Sequence, residues 1–476
     1  MGTVAKQSFS NSINSYIGVA LGALNTMILF PRILAPEAYG DFQSLMAIIT
    51  IVSTFAHLGF PTSVVVFFPK LDRDKQSALW TFMLVYISLL SLVLGLSLGG
   101  LEYFNLIDLD HSLIALIVCI SIVYFELFSA LSQYYSKVVL PQFIRNVFRR
   151  VIISSALAIS YLMDTDIETF YLVFGLGYLI HLIVMIYYAR PDMPQFRWRS
   201  DLVNQKQVMG YGLMVMLAAG SLILVSRIDI LMIKELLGSA EVAFYSIAFF
   251  IGSVVAVPVK SFIASIRPFV AKAWAQDNLR EIDKLYKKSA LTQLAITAFL
   301  LLIIMVNLDL FNLILPEKYH FEAFPAVVFF IGLSEVLKGA TGINGMILTV
   351  SKKQHFNFYS GLVLIVLTVI GNWLLIPALG LSGAALASLI AIGLFNIFKI
   401  LVVQKIYKLI PFTKQFWLLL ISMGLALLLI SLMRTLGWSM WLNLAIGNLA
   451  SLALLLILFK YTSALDDFKI FKFLNR

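Results

Sequence analysis

Long apolar stretches alternate with short polar connections along almost the entire chain. A membrane-spanning helix needs about 20 mostly apolar residues, and fourteen segments of about that length occur in the sequence. They cover roughly residues 8–31, 41–62, 78–99, 112–135, 147–163, 169–189, 207–231, 242–262, 289–308, 322–347, 357–377, 382–403, 415–433 and 438–459. This pattern predicts an all-α polytopic membrane protein with about fourteen transmembrane helices.

The positive charges alternate between connections. Of the 35 lysines and arginines, 29 fall in every second connection. The connections between those hold few positive charges and lean acidic, as at Glu102, Asp108 and Asp110. Cytoplasmic loops of membrane proteins carry such an excess of lysine and arginine. Both termini are therefore predicted to lie in the cytoplasm.

Composition and loop length exclude several classes of function. The chain is 61% hydrophobic and 13% charged, whereas about a quarter of the residues of soluble domains are charged. The cytoplasmic loops account for the net charge of +10, so it does not indicate binding of nucleic acid. The sequence shows no metal-ligand cluster, no phosphate-binding glycine loop and no nucleophile triad. The outer connections have at most about fifteen residues, which leaves no room for a catalytic domain outside the membrane. We expect no enzyme activity, no metal and no cofactor.

One long inner connection is typical of an amphipathic surface helix. It covers residues 263–288, where Trp274, Leu279, Ile282 and Leu285 alternate with charges. A weaker stretch of this kind precedes residue 207, and together the two connections would divide the spans into groups of six, two and six.

A faint internal repeat favours a different division. The stretches LAPEAYGDF (34–42) and LGSAEVAFY (237–245) are alike, and each follows the first span of a would-be half. We therefore predict two six-helix lobes followed by two extra transmembrane helices and a cytoplasmic tail. These parts are residues 1–206, 207–410 and 411–476.

The stretch NWLLIPALGLSGAALA (372–387) resembles a recurring turn of the multidrug/oligosaccharidyl-lipid/polysaccharide exporter superfamily. Here Pro377 is expected to end the eleventh helix, Gly380 to permit a tight turn, and the small residues from Gly383 onward to let the twelfth helix pack closely. Residues 33–42 and 227–246 also resemble the lobe openings of that superfamily. The count of fourteen spans resembles that of its polysaccharide transporter branch. This branch comprises the flippases of lipid-linked oligosaccharides such as O-antigen.

The resemblance implies a fold and a substrate. The fold would be a V-shaped pair of lobes around a central cavity, working by alternating access. The substrate would be a polyprenyl-diphosphate-linked oligosaccharide, moved from the inner to the outer leaflet of the bacterial inner (plasma) membrane for O-antigen, lipopolysaccharide or capsule biosynthesis. Contact with other polysaccharide assembly proteins would fit this function. No nucleotide site is found in the sequence, so a secondary gradient is expected, and H⁺, Na⁺ and the membrane potential all stay open as its source. A cation-coupled exporter of drugs or small molecules is the alternative, and a polysaccharide polymerase or ligase is a weaker one.

Binding the diphosphate of such a substrate requires cations. A charged side chain within the bilayer costs free energy, so each such residue is a candidate for function. Arg145 and Arg149 lie four apart on one helical face, predicted at the inner mouth of the first lobe, where a guanidinium fork matches phosphate oxygens. Lys260 and Arg267 are predicted at the corresponding mouth of the second lobe. The alternative for the two arginines is ordinary anchoring, with the side chains reaching the lipid headgroups. The alternative for Lys260 and Arg267 is the charged end of a surface helix.

Three charged residues within apolar segments are candidates for coupling or binding. Glu126 is a lone acid in the fourth segment. An isolated buried carboxyl group tends to be protonated, which suits a proton-coupled switch, and hydrogen bonding to a neighbouring helix is the alternative. Glu335 and Lys338, three apart in the tenth segment, can neutralise each other. The glycine-rich residues 339–345 predict a bent or unwound helix that lines a cavity.

Arg227, Asp229 and Asn25 complete the candidates. Arg227 is a binding candidate near the outer boundary, and an interfacial charge pair is its alternative role. Asp229 stands where the superfamily commonly has an acidic residue, so the resemblance makes it a candidate for coupling. Asn25, like Asn11 and Asn14 on the first helix, is equally suited to contact sugar hydroxyls or to bond a neighbouring helix.

Overall fold

A computed structural model describes residues 3–103, 111–199, 202–320, 322–351, 355–435 and 439–462. In these ranges the chain forms helices joined by turns, without a strand, which confirms the all-α prediction. Nine of the described helices are long and apolar enough to cross a membrane, or ten if the bent pair Gln205–Ser221 and Ile223–Leu237 is one span. Every predicted segment coincides with a helix, but several helices are broken or short, so the count of fourteen stays a prediction.

The chain divides into two compact units, Met1–Leu231 and Met232–Arg476. Ten α-helices begin in the first unit, and the last of them crosses into the second. They are α1 (Thr3–Ala23), α2 (Phe30–Ile33), α3 (Pro36–Ala56), α4 (Phe60–Phe67), α5 (Arg73–Tyr103), α6 (Ser112–Tyr134), α7 (Val139–Phe143), α8 (Arg149–Leu162), α9 (Ile167–Ala189) and α10 (Gln205–Leu237).

Nine α-helices begin in the second unit. They are α11 (Ser239–Ser253), α12 (Val257–Ala275), α13 (Leu279–Val306), α14 (Leu308–Ile314), α15 (Phe324–Ala340), α16 (Asn344–Val350), α17 (His355–Tyr407), α18 (Lys414–Thr435) and α19 (Met440–Thr462). The two C-terminal helices, α18 and α19, pack against α13 and so belong to this unit. The predicted three-part division by function stays a prediction.

Large apolar side chains cover the outside of the helices. On α5, Leu89, Leu92 and Leu96 are all more than half exposed, and α18 exposes Leu418 and Ile421 in the same way. A soluble monomer rarely exposes contiguous apolar surface of this extent. These bands therefore face lipid, and the chain is a multi-pass membrane protein.

The two units repeat one arrangement. In the first unit α6 packs along α9, and in the second unit α15 packs along α17. The two similar stretches found in the sequence occupy matching places, because LAPEAYGDF contains the start of α3 and LGSAEVAFY contains the start of α11.

The fifth span begins earlier than the apolar pattern predicts. Helix α7 starts at Val139, and a π-helical turn (Ile144–Phe148) joins it to α8, so that one helical rod runs to Leu162. Pro141 stands in the first turn of this rod, where proline is tolerated because its missing N–H has no intrahelical partner. The predicted start at residue 147 is therefore wrong.

The predicted surface helix over 263–288 is in fact the end of α12 and the start of α13. Asp277 has a positive φ of 49°, which interrupts the helix. Asn278 then caps α13, since its Oδ1 accepts a hydrogen bond from the N–H of Glu281 at 3.1 Å. A side-chain cap of this kind starts a new helix, so α13 runs from the surface directly into its membrane span.

The break between the eleventh and twelfth spans lies at Gly380. This glycine has φ +60° and ψ −138°, whereas helical conformation continues through Pro377. The tight turn at Gly380 is confirmed, but the prediction that Pro377 ends the helix is wrong. A Cβ at Gly383 would collide with the carbonyl oxygen of Leu375, which confirms the predicted close packing after the turn.

Candidate functional site

Four side chains from neighbouring helices meet inside the first unit. Glu126 comes from α6, Arg145 from the π-helical turn, Arg149 from the start of α8, and His181 from α9. We call these four residues the arginine cluster. Arg145 and Arg149 both turn toward α6, as their spacing of four predicts. Single π-helical turns are rare and occur frequently at functional sites.

The arginine cluster lies within the helices rather than at their ends. Glu126 and His181 each precede the last residue of their helix, Tyr134 and Ala189, by eight positions, which is about 12 Å along the axis. Arg149 follows the start of the fifth rod by ten positions, or about 15 Å. The two arginines therefore lie further along the fifth span than a start at residue 147 predicts, and their place at the inner mouth stays a prediction.

One carboxylate joins the two guanidiniums. Nη2 of Arg145 donates to Oε2 of Glu126 at 2.5 Å and to Oγ of Ser129 at 3.2 Å. Nη2 of Arg149 lies 3.5 Å from Oε1 of Glu126. The assumption that Glu126 is isolated is therefore wrong, because the fifth span turns both arginines toward it.

His181 is the hydrogen-bond partner of Arg149 within the cluster. Nε of Arg149 donates to Nε2 of His181 at 3.1 Å. A guanidinium can only donate, so Nε2 accepts and the proton of the neutral ring is assigned to Nδ1. The ring is fully buried and contacts Phe125, with the centroids 4.2 Å apart, and Tyr178. His181 thus orients Arg149 without adding a charge.

Phe125 lies against both guanidiniums. Its ring centroid is 5.6 Å from Cζ of Arg145 and 4.8 Å from Cζ of Arg149. The negative face of an aromatic ring attracts a cation at such distances. Phe125 therefore helps to keep two like charges close together next to a single carboxylate.

The arginine cluster keeps one uncompensated positive charge, because two guanidiniums face one carboxylate. The side chains of Arg145, Glu126 and Arg149 are 27%, 24% and 19% exposed, so the cluster is partly accessible. Nε of Arg145 and Nη2 of Arg149 are buried and make no hydrogen bond with the residues that the structure describes. Buried N–H donors without a protein partner are usually satisfied by a water molecule or an ion. The arrangement can therefore hold a phosphate-type anion through charge-assisted hydrogen bonds.

Asn25 fastens the first helix to the fifth span. It lies in a second π-helical turn, Leu24–Leu29, and is 3% exposed. Its Nδ2 donates to the carbonyl oxygen of Arg150 at 2.9 Å, and its Oδ1 accepts from Oγ of Ser154 at 2.6 Å. Asn14 makes a bond of the same kind to Val139. These contacts favour helix bonding over glycan contact for Asn25, and the side chain of Asn11 lies outside the described residues.

Several other inner cations of the first unit serve ion pairs. Lys137 Nζ lies 2.6 Å from Asp192 Oδ2, and Nη1 of Arg197 lies 2.6 Å from Oδ1 of Asp74. The hydrogen bond that Lys137 donates to Asp192 raises the pKa of Lys137 because it stabilises the charged amine. These pairs tie the segment after α9 to the ends of α5 and α6.

Arg227 and Asp229 lie on α10. The structure buries Asp229, which is 2% exposed, and half-buries Arg227. Their roles in coupling and in substrate binding stay predictions.

Lys260 and Arg267 lie on α12 in the second unit, and both are exposed. Pro258 stands at the start of this helix and Pro268 inside it. The structure does not bring either cation into the arginine cluster, which lies in the other unit, and their role in binding stays a prediction.

The pairing of Glu335 with Lys338 is confirmed. Lys338 Nζ lies 2.6 Å from Oε1 of Glu335. The helix break just after them is confirmed too, since α15 ends at Ala340 and α16 begins at Asn344. Gly342 has φ +59° at the break. The cavity lining expected there stays a prediction.

The place of His181 within an apolar segment predicts polar packing between helices, and its hydrogen bond to Arg149 confirms this. Sequence reasoning did not predict that its partner would be Arg149, and it did not single out Lys399. Lys399 was counted with an inner connection, but it lies inside α17, and its position within segment 382–403 already pointed to this. Among the described residues, no group of three or more His, Cys, Asp or Glu side chains is placed to hold a metal ion.

Comparison with known proteins adds two findings. The sequence profile of a family described as "Polysaccharide biosynthesis protein" matches residues 4–274, more than half of the chain. No curated protein matches the sequence. The structure is similar to the lipid II flippase MurJ in an inward closed conformation, with a TM-score of 0.72 and 14% identity, over 94% of this chain and 98% of that one.

Two transporters of a second kind share the fold. A multidrug resistance MATE family transporter of the MOP superfamily, in its inward-facing conformation, matches with a TM-score of 0.65 and 13% identity over 82% of this chain and 94% of its own. The Vibrio cholerae MATE transporter VcmN matches with a TM-score of 0.59 and 16% identity over 85% and 97%. At these identities the likeness shows the fold alone.

Proposed function

This chain belongs to the polysaccharide biosynthesis protein family, within the multidrug/oligosaccharidyl-lipid/polysaccharide exporter superfamily, and we propose that it is a flippase for a polyprenyl-diphosphate-linked oligosaccharide. The predicted family is thereby confirmed, through residues 4–274. In this proposal the lipid-linked glycan moves from the inner to the outer leaflet of the bacterial inner membrane by alternating access. It then serves O-antigen or capsule assembly.

The observation that carries the proposal is the uncompensated charge of the arginine cluster. Two guanidiniums, one carboxylate and buried N–H donors without a hydrogen-bond partner among the described residues meet there, roughly 9–15 Å inside the helix ends. A diphosphate headgroup brings negative charge and several acceptor oxygens, which match guanidinium forks. Charges at this depth are costly and are retained for substrate or ion pathways.

The fold also supports the proposal of a flippase. The similar structure with a TM-score of 0.72 is that of a lipid II flippase, so a lipid-linked molecule is the substrate of that protein. The similar structures are transporters, and we propose transport without chemical conversion of the substrate.

We propose a secondary gradient of H⁺ or Na⁺ as the energy source. Glu126, Asp229 and Glu335 are the candidates for coupling, and Glu126 is the one that belongs to the arginine cluster. Both termini are proposed to be cytoplasmic, on the charge pattern of the connections. Contact with other polysaccharide assembly proteins also remains a proposal.

The test is export of the lipid-linked glycan in a deletion strain. Spheroplasts are treated with a membrane-impermeant glycan-oxidising reagent, and the fraction of labelled lipid-linked glycan that reacts is measured. We expect the wild-type chain to restore labelling and the double variant Arg145→Gln, Arg149→Gln to fail. The control is Arg73→Gln, at an exposed cation of the same unit. Normal labelling of the lipid-linked glycan in the deletion strain would refute the proposal.

A cation-coupled drug exporter is the second candidate, favoured by the likeness to MATE transporters. A net-positive cluster repels cationic drugs, whereas an exporter of such drugs needs an available carboxylate. Energy-dependent efflux of ethidium that is lost in Glu126→Gln, with normal glycan labelling in the deletion strain, would favour the exporter.

A further inference from the structure

The second unit contains a lysine inside a membrane-spanning helix. Lys399 precedes Tyr407, the last residue of α17, by eight positions, or about 12 Å along the axis. Its side chain is half-buried. A lysine at this depth costs free energy unless a partner or a ligand stabilises its charge.

The described residues provide Lys399 with an aromatic partner but no ion pair. Nζ lies 3.9 Å from the ring centroid of Phe395, one turn earlier on the same helix. In the part of the chain that the structure describes, no carboxylate lies within ion-pair distance of Nζ. A ring face attracts the ammonium but accepts no ordinary hydrogen bond, so the three N–H donors keep capacity for acceptor oxygens.

Open space lies next to this ammonium. A Cβ added to Gly345, at the start of α16, would have one heavy atom within 4 Å, and that atom is Nζ of Lys399 at 3.4 Å. A helical glycine packed in a core would instead meet neighbours on all sides, as Gly252 does. The glycine therefore leaves room beside the charge for a small group.

Amide and hydroxyl side chains lie one turn before Lys399. Oδ1 of Asn396 accepts from Oγ1 of Thr341 at 3.0 Å and from Nδ2 of Asn344 at 3.5 Å. These bonds tie the helix break at 341–343 to α17.

Lys399 and His181 lie at the same distance from the ends of their helices. His181 lies eight positions before the end of α9, and α6 packs along α9 as α15 packs along α17. In the first unit this position orients Arg149, whereas in the second unit it carries a cation itself.

We propose that Lys399 binds a phosphate group carried by a lipid, in the space beside Gly345. Its assignment to the diphosphate of the lipid-linked substrate rests on the proposed function. A headgroup of a bulk anionic phospholipid has the same chemistry, and the experiment separates the two sources.

The test uses the full chain, purified in phosphatidylcholine nanodiscs, with geranylgeranyl diphosphate as the probe. We expect Lys399→Gln to weaken probe binding about tenfold, the effect of one lost charge-assisted hydrogen bond. Lys399→Arg should keep most of the affinity. Gly345→Leu should weaken binding by filling the space while leaving the lysine in place. Lys405→Gln is the matched control, since Lys405 is exposed on the same helix.

Each outcome decides the proposal. If Lys399→Gln and Gly345→Leu bind the probe like the wild type while Arg145→Gln weakens binding, the site at Lys399 is refuted and the proposed function stands. If the wild type binds no probe and glycan export is normal in the deletion strain, both are refuted. If Lys399→Gln loses only co-purified phosphatidylglycerol, measured by native mass spectrometry, the phosphate belongs to bulk phospholipid. If Lys399→Gln does not fold, probe binding by Lys399→Arg and Gly345→Leu decides whether the proposal stands.

Discussion

Oε2 of Glu126 lies 2.5 Å from Nη2 of Arg145, although nineteen positions separate the two residues in the chain. The second oxygen of the same carboxylate faces Arg149. Glu126 therefore occupies part of the space in which phosphate oxygens would bind these guanidiniums. It acts as a resident counter-anion, which a diphosphate must displace or share.

Glu126→Gln should tighten binding of a diphosphate and slow its release. The amide keeps an oxygen for Arg145 but removes the competing charge, so the net charge of the arginine cluster rises. We expect the affinity for geranylgeranyl diphosphate to increase by about three- to tenfold, while glycan export in cells falls. Binding is measured on the protein in nanodiscs.

The control for this variant is Glu37→Gln, at an exposed carboxylate of the same unit. It should leave affinity and export unchanged. Weaker probe binding in Glu126→Gln would contradict the counter-anion role and indicate that Glu126 only positions the arginines.

His181→Phe should destabilise the fold and misplace Arg149. Phenylalanine fills the buried space next to Phe125 but removes the acceptor for Nε of Arg149. A buried donor without a partner costs about 1–3 kcal/mol. We expect a lower thermal unfolding midpoint and weaker probe binding.

His181→Gln retains an acceptor and should recover part of both losses. Equal stability and affinity in His181→Phe and the wild type would show that Arg149 does not depend on the imidazole.

Asn25→Ala distinguishes helix bonding from glycan contact. The variant removes the hydrogen bonds to Arg150 and Ser154, and we expect a loss of about 1–2 kcal/mol of unfolding free energy. Binding of the prenyl diphosphate and of a lipid-linked glycan should weaken equally or not at all. Selective loss of glycan binding with unchanged stability would instead support the role as a sugar ligand.

Gly342→Ala should reduce the folded yield strongly. The residue has φ +59°, which costs an alanine about 1–2 kcal/mol. The new Cβ would also lie 2.8 Å from Oγ of Ser289 and 2.9 Å from N of Ala290. Gly424→Ala is the control, because a Cβ there meets no atom within 4 Å and alanine favours a helix. Equal yields of the two variants, measured by size-exclusion chromatography in detergent, would show that the break tolerates a side chain.

Local features of the chain were predictable because they depend on few residues. The length of an apolar run determines whether a helix can span, and glycine tolerates the positive φ found at Gly380 and Gly342. A spacing of four places Arg145 and Arg149 on one face. Helix starts were less predictable, since the short helix α7 contains Pro141 and is followed by Arg145 and Arg149, so that it does not look like part of a span.

By itself, the sequence determined the all-helical class and the approximate position of most apolar helices, since these follow from the length of apolar runs, while short motifs carried the resemblance to the family. Only the tertiary structure decided that Glu126 meets two arginines, that His181 holds Arg149, and that open space lies next to Lys399. These contacts join helices that are distant in the chain. They depend on how the helices pack and rotate against each other, which no local pattern specifies.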